Sequence, residues 1–460
     1  IGAPYILGGL LPSLLEFTPD GKDPANNPYR GRRLLAFSDS RQGTARLSAK
    51  LQQDAERSTI RSMIYHHVIE NNIAHLNNKD AVEKLNEEIS ALEGLIISLP
   101  ESNRQTFINM KDEKIIERSN LLSPTSISFA DLQSKIANGS AEFNQIQNNY
   151  INFNREIFDG TQGKSNLAGM FIFKELGRRP KKQNSLESMG LISIEYTFLT
   201  SIEKAPAEWI ARGFTLNEWR DMLKIILDYF VRAGGSVNIP QEWRDWMGVH
   251  TPNTLIVEAE KEELAKNQRR WPSTKRSKQG RIVRLFASIL RLDLSTAHAQ
   301  DLVDSLLKEA WNQLKPHFTM VSDGYQIDRN LLSYKTISTA WVCPITRRLL
   351  DVTIRGISPY TSRNAVANIP VCEQVTIPVY EFAFGGTTDV MERISRARQW
   401  LSEKDQIVAL RENGLWSIYS DRIIESAPYF AVAEHSAQKK NKKLDKYEKE
   451  FKSGKINLLS

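Results

Sequence analysis

HSAQKKNKKLDKYEKEFKSGKINLLS, from His435 to Ser460, is the stretch whose reading decides the fold. A short apolar strand, Tyr429 to Ala433, leads into it. A charged helix follows His435 and ends at Phe451. Ser453-Gly454 breaks it, and Lys455 to Ser460 begins a second apolar strand. Strand, polar residue, helix, glycine break and strand make one βαβ unit, the building block of a parallel sheet.

The strand predicted to lie beside this unit is far away in sequence. Arg33 to Phe37 is a compact apolar run, RLLAF, followed by Ser38-Asp39-Ser40 and a helix from Arg41. That helix places Ala45, Leu47, Leu51, Ala55, Ile60 and Ile64 on roughly one side. Ser40 is a natural N-cap, because its hydroxyl can accept an orphan N–H of the first turn. The same corner can hold a phosphate: first-turn N–H groups point outward, the helix dipole favours an anion, and Arg41 adds a fork of donors. The plain alternative is a capped helix after a strand. The strands near Arg33 and Ile456 are expected to be parallel neighbours in one sheet.

Composition narrows the class. The 460 residues suggest about three domains. With 41% hydrophobic and 25% charged residues, the chain can bury a sizeable core and is read as soluble and cytoplasmic. No run is long enough for a membrane-spanning helix, and the apolar opening IGAPYILGGLLPSLLEF lacks the basic start of a signal peptide. The two cysteines, Cys343 and Cys372, suit a reducing compartment and have no ligand spacing for zinc. A net charge of +7 hints at a polyanionic partner.

Along the chain, 1–32 reads as an apolar segment and linker, and 33–60 as the first part of the parallel-sheet lobe. A mainly helical insertion follows over 61–315. Within it, 165–200 could form a winged-helix-like unit if its helices join the strand Leu191 to Leu199. Residues 316–386 read as a small β-rich subdomain, with Asp323-Gly324 as a hairpin turn. Strands are expected at Thr336 to Val342, Leu349 to Ile354 and Val375 to Phe384. Helices return over 387–427, and 428–460 completes the lobe.

Two basic stretches in the insertion are candidate nucleic-acid contacts. The first holds Arg269, Arg270, Trp271, Lys275 and Arg276, with Trp271 available to stack on a base. Glutamates 258, 260, 262 and 263 lie just upstream, so self-pairing is the competing reading. The second holds Arg178, Arg179 and Lys181, placed to grip phosphates if the winged-helix-like unit forms. Two other motifs are read as decoys. Gly160 to Ser165 mimics the end of a phosphate-binding loop, but its leading glycine is missing and no buried strand precedes it. Glu392 to Arg398 is similar to an arginine finger, in the wrong order along the chain. The seven histidines lack metal spacing.

Taken together, RRLLAFSDSRQGTARL, NSLESMGL, CPITRRLL and AEHSAQ…YEKEFKSGKINLLS resemble superfamily-2 helicases, and more narrowly the large helicases of bacterial anti-phage systems of the Druantia and DISARM kind. The matches cover about a fifth of the chain. The resemblance implies an α/β fold: a partial RecA-like lobe, the second of two motor lobes, interrupted by the insertion and cut before the next nucleic-acid motif. It implies an ATP-driven motor on DNA, with ATP and Mg2+ used by the intact protein and none bound by this fragment alone. Implied partners are DNA, the first RecA-like lobe and defence-system proteins. Ser38, Ser40, Arg41 and Gln42 would then lie near the tracked strand, with His435 and Ser436 on the next loop. The departure is the large insertion between the two motifs. A binding module without a motor, and a protein-interaction scaffold, are the competing readings.

Overall fold

The computed structural model of this chain describes residues 10–459, apart from 12, 37–40, 77–78, 99–103, 105, 109, 112, 116–124, 178–184, 248–252, 361–368, 370, 427 and 436–440. The first third runs β1 (Leu34–Leu35), α1 (Arg41–Leu76), α2 (Lys79–Ser98), β2 (Ile127–Ser128), α3 (Phe129–Gly139), α4 (Ala141–Ile151) and α5 (Gly160–Ile172). The middle holds β3 (Ile192–Tyr196), α6 (Leu216–Gly234), β4 (Val237–Asn238), β5 (Leu255–Val257), β6 (Gln268–Arg270), α7 (Arg281–Leu290) and α8 (Ala297–Leu314). Then come β7 (Phe318–Val321), β8 (Gly324–Asp328), β9 (Leu332–Thr336), β10 (Thr339–Val342), β11 (Leu349–Leu350) and β12 (Glu373–Thr376). The chain closes with α9 (Val390–Glu403), α10 (Ile418–Glu425), β13 (Val432–Ala433), α11 (Asn441–Lys452) and β14 (Leu458–Leu459). The fold is mixed α/β with several small sheets. Among the described residues, no helix is long and apolar enough to cross a membrane.

The two distant strands do pair. β14 lies between β1 and β13, parallel to both, with Leu34 opposite Leu458 and Val432 also opposite Leu458. Side chains of successive strand residues point to opposite faces, and the clusters obey that rule. Leu458, Leu34 and Val432 pack with Leu47 and Leu51 of α1. Ala433 and Leu459 pack with Tyr447 and Phe451 of α11. The sheet is therefore covered by α1 on one face and α11 on the other, as a parallel sheet requires.

A single amide fastens this lobe. Asn457 is fully buried; its Nδ2 donates to the carbonyls of Pro28 and Arg32, both at 2.7 Å, and its Oδ1 accepts the Ala431 N–H at 2.9 Å. Gly454 terminates the turn after α11 at a φ of 84°, where an added Cβ would sit 3.0 Å from the Gly31 Cα. Only glycine allows that conformation and that approach at little cost. Gln52 ties α1 to β13, donating to the Tyr429 hydroxyl at 2.6 Å and accepting the Val432 N–H at 2.9 Å.

In the centre, β9 pairs antiparallel with both β2 and β3, giving the order β2-β9-β3. α1 packs on α3 and β9, and α3 packs on α5. β2 precedes α3, α4 and α5, and β9, the last of the three strands in sequence, lies in the middle of the sheet. Residues 197–331 are inserted between its last two strands. α6 anchors that inserted part. Thr215 and Glu218 form a reciprocal capping box at its start, Gly235 ends it in the left-handed conformation, and Trp219, Leu223, Ile226, Leu227 and Phe230 are buried. Such a cap is worth about 1 kcal/mol and each buried side chain about 1.5–3 kcal/mol.

Two of the divisions read from sequence are crossed by continuous structure. The 60/61 boundary falls inside α1. The strands of 316–386 are shared: β9 pairs with β2 and β3, and β8 with β4 and β5. One core cluster runs from Leu15 through Tyr196 and Phe286 to Phe430. The run Thr336 to Val342 splits into the end of β9 and β10. β12 stops at Thr376 because Pro378 has no N–H to continue a ladder. The hairpin turn is Ser322-Asp323, with Gly324 already in β8, where a Cβ would lie 2.7 Å from Leu255 Cβ.

Candidate nucleic-acid interface

The parallel sheet sets up one edge. Leu35, Leu459 and Ala433 are level across it, so the chain leaves β1 and β13 at the same carboxyl end. Ser38, Ser40 and Ser436 fall outside the described residues. Of Arg41 and Gln42 the helical backbone is described; they form the first turn of α1. His435 lies at this edge, with Nε2 3.0 Å from Glu448 Oε1 of α11. The imidazole is thus held over its own helix. Arg33 covers the other end of α11, donating to the Lys452 carbonyl at 3.1 Å with its guanidinium over the Phe451 ring.

The basic stretch beginning at Lys266 is divided by the fold. Trp271 corrects the sequence reading: it is buried, its Nε1 donates to the Leu307 carbonyl at 2.8 Å, and its ring stacks on Phe230 with centroids 5.3 Å apart. The expectation that it stacks on a base fails because its apolar face and its single donor are both already engaged. Arg270 donates to the carbonyls of Lys261 and Glu262, and Arg276 to that of Glu260. The self-pairing therefore uses backbone oxygens, while the Glu258 carboxylate pairs with Lys315 at 2.7 Å. Arg269 and Arg281 both lie over the Tyr229 ring, 5.3 and 5.6 Å from its centroid. Lys266, Lys275 and Lys278 are exposed. The surviving feature is a rim of cations without a stacking platform.

Arg178, Arg179 and Lys181 lie outside the described residues. The helix just before them, α5, is covered. Trp243 sits so close to Gly169 that a Cβ there would be 2.1 Å from the indole. Leu167, Ala168, Met170, Phe171 and Ile172 are all buried, and exposure is confined to the first turn. A helix covered this way cannot enter a groove. The phosphate-loop mimic, Gly160 to Ser165, is that first turn, capped by Asp159 and preceded by the helical turn Arg155–Phe158. The arginine-finger mimic is also engaged: Arg396 pairs with Glu392, and Arg398 with Glu16 and Glu425.

One cluster was not foreseen. Lys224, Asp228 and Arg232 lie one turn apart on α6 and meet Glu187 and Asp351 in the interior. Lys224 Nζ is 2.6 Å from Asp351 Oδ2 and 3.4 Å from Asp228 Oδ2. Arg232 is 2.7 Å from Asp228 and also bonds Glu187. The Tyr196 hydroxyl donates to Asp228 at 2.9 Å. The carboxylate oxygens of Glu187, Asp228 and Asp351 converge within 4.8 Å, the one such metal-like grouping among the described residues. An ammonium and a guanidinium already sit among them, so the charge a metal would supply is present. The adjoining cavity, of about 20 Å3, has room for roughly one water and none for a nucleotide. The lysine, aspartate and arginine spaced four apart along an otherwise apolar helix face were the signal that could have disclosed it.

Comparison of the chain with protein-family models, with curated proteins and with solved structures finds no match.

Proposed function

We propose that this chain is part of the second motor lobe of an ATP-dependent nucleic-acid helicase or translocase, of the superfamily-2 kind its sequence resembles, and that it contacts the backbone of DNA. The observation that carries the reading is the strand order β1-β14-β13 with α1 and α11 on opposite faces. Open parallel sheets take their ligands outside the carboxyl ends of the strands, where successive connections leave toward opposite faces. The motif after β1 and the loop after β13 share that edge. There Arg41, Gln42 and the α1 N-terminus would meet a phosphate, and His435 would flank it.

The phosphate loop, metal-binding carboxylates and arginine finger that phosphoryl transfer needs would come from a first lobe of the intact protein, together with ATP and Mg2+. The central region would add a cationic rim, led by Lys266, Lys275 and Lys278, that holds the duplex by charge. Groove reading by α5 is not part of this reading, because that helix is covered. Partners in anti-phage defence follow from the same resemblance, and a cytoplasmic location is proposed from the sparse cysteines.

The test is fluorescence anisotropy of the purified chain with a labelled DNA duplex, over a series of salt concentrations. Log affinity should fall linearly with log salt, by about 0.9 per phosphate neutralised. Reversing Lys266, Lys275 and Lys278 to Glu should remove two to three contacts' worth of that slope, roughly 2–3 units. Absence of salt-dependent binding would defeat the nucleic-acid reading. DNA-stimulated ATP hydrolysis by the intact protein, lowered by Arg41→Ala, separates a motor from a binding module.

A further inference from the structure

The chain's two cysteines are distant in sequence and adjacent in the fold. β10 pairs antiparallel with β12, and the ladder's last pair is Val342 opposite Glu373. One residue further out on each strand are Cys343 and Cys372. The Cys343 N–H donates away from β12 to the Arg348 carbonyl, and the Cys372 N–H donates away from β10 to the Gly356 carbonyl. They therefore form a non-hydrogen-bonded pair, the position where opposed side chains come closest. Cα atoms are about 4.5 Å apart at such positions, inside the range of about 4.4–6.8 Å that a disulfide spans. Both side chains belong to one small cluster with Leu350 and Trp341.

The two sulfurs differ in surroundings. Cys343 Sγ lies 3.0 Å from Ser358 Oγ and accepts the Thr346 N–H at 3.4 Å. Burial acts to raise this thiol, but those contacts outweigh it and hold it below its ordinary value. Cys372 is pushed up to about 11, by burial and then by its neighbour Cys343. The pair is buried, but only shallowly. Ile345 and Val371, which flank it, are 43% and 64% exposed.

The geometry points to Cys343 and Cys372 as a reversible oxidation site, Cys343 attacking a peroxide and Cys372 resolving the product to a disulfide. The Cys343 thiolate attacks one oxygen of hydrogen peroxide, the O–O bond breaks, and a sulfenic acid and hydroxide form. The hydroxide takes a proton and leaves as water. The Cys372 thiol then attacks the sulfenic sulfur, its proton leaves with the departing hydroxyl as a second water, and the S–S bond forms. Two electrons pass from the two sulfurs to the peroxide. The bond would close the segment between β10 and β12, which contains Asp351 of the buried charge cluster.

The experiment treats the full chain with hydrogen peroxide, quenches and denatures it in acid, then measures intact mass and free thiols, since both sulfurs are buried in the folded chain. The expected product has lost about 2 Da and both thiols together, and dithiothreitol restores it. Cys372→Ser should stop at a sulfenic acid that dimedone traps on Cys343. Cys343→Ser should react with peroxide at least about tenfold more slowly. Wild-type chain that gains oxygen on one thiol while the other stays free would overturn the proposal, as would equal reactivity of the two variants. Either wild-type result decides the matter even if a variant fails to fold.

Discussion

Two buried polar assemblies hold this molecule together by opposite means. At the parallel sheet, the uncharged Asn457 side chain satisfies two carbonyls and one N–H. In the centre, Lys224, Asp228, Arg232, Glu187 and Asp351 are held together by ion pairs among themselves. The amide needs only backbone groups that the local turns bring to it. The charged cluster needs side chains from three separate stretches, α6, Glu187 and Asp351, each buried at a desolvation cost that the others must offset. One device is indifferent to pH and tolerant of distant change; the other is neither.

Lys224→Met should make the largest difference. It leaves Asp228 and Asp351 sharing Arg232 alone, and breaking a buried pair this way costs about 3–5 kcal/mol. Amide hydrogen exchange should rise in β3, β9 and β11 and stay low in β1, β13 and β14. Asn457→Leu should show the converse pattern at about 2–3 kcal/mol, because three backbone groups lose their partner in a dry site. If either variant opened both regions equally, the two assemblies would be one cooperative unit and the contrast would be void.

Acidity probes the contrast at a smaller scale. Burial acts to raise Asp351, but Lys224 and then Arg232 outweigh it and hold the carboxyl down to about 2. Its stabilising contribution is present above the unfolded value near 4 and is lost as pH falls from about 4 to 2, about 2 kcal/mol in all. Asp228 runs the other way. Burial pushes it up to about 7 against the pull of Lys224. The folded chain keeps a proton there that the unfolded chain releases, so this contribution declines as pH rises from about 4 to 7. Urea midpoints across that interval should flatten in Asp228→Asn and stay unchanged in slope in Asn457→Leu. The smallest effect belongs to Gly454→Ala, about 1–2 kcal/mol, since the substitution forces a left-handed alanine against Gly31. Exchange confined to β14 and α11 would be its signature.

What could be read from residues divides along the same line. The parallel sheet was legible because its strands are short apolar runs, its crossover helix is bounded by a polar residue and a glycine, and such units have one arrangement. The mainly helical character of the insertion was legible, and α6, α7 and α8 lie within it. The order β2-β9-β3 was not, because its strands are separated by long stretches and β2 is two residues long. Trp271 misled because a tryptophan among arginines looks the same in sequence whether its ring faces solvent or Phe230. The charged cluster was missed for a related reason: lysine, aspartate and arginine on a helix read as a solvated face until partners from Glu187 and Asp351 are placed over them. His66, read from sequence only as lacking metal spacing, belongs to the core. It is fully buried, within 3.1 Å of the Ile423 carbonyl through Nε2, and accepts the Phe384 N–H through Nδ1.

The placement of β14 between β1 and β13 has a temporal side. On a ribosome adding about 5–20 residues each second, β1 emerges roughly 20–80 s before the strand that will lie beside it. Throughout that wait the β1 backbone groups that will face β14 have no permanent neighbour, and Leu47 and Leu51 of α1 have Leu11, Leu34 and Ala36 to pack on but not yet Leu458 or Val432. The sheet is consequently closed only after Leu458 has emerged, and a nascent polypeptide stalled short of it would be a natural client for chaperones.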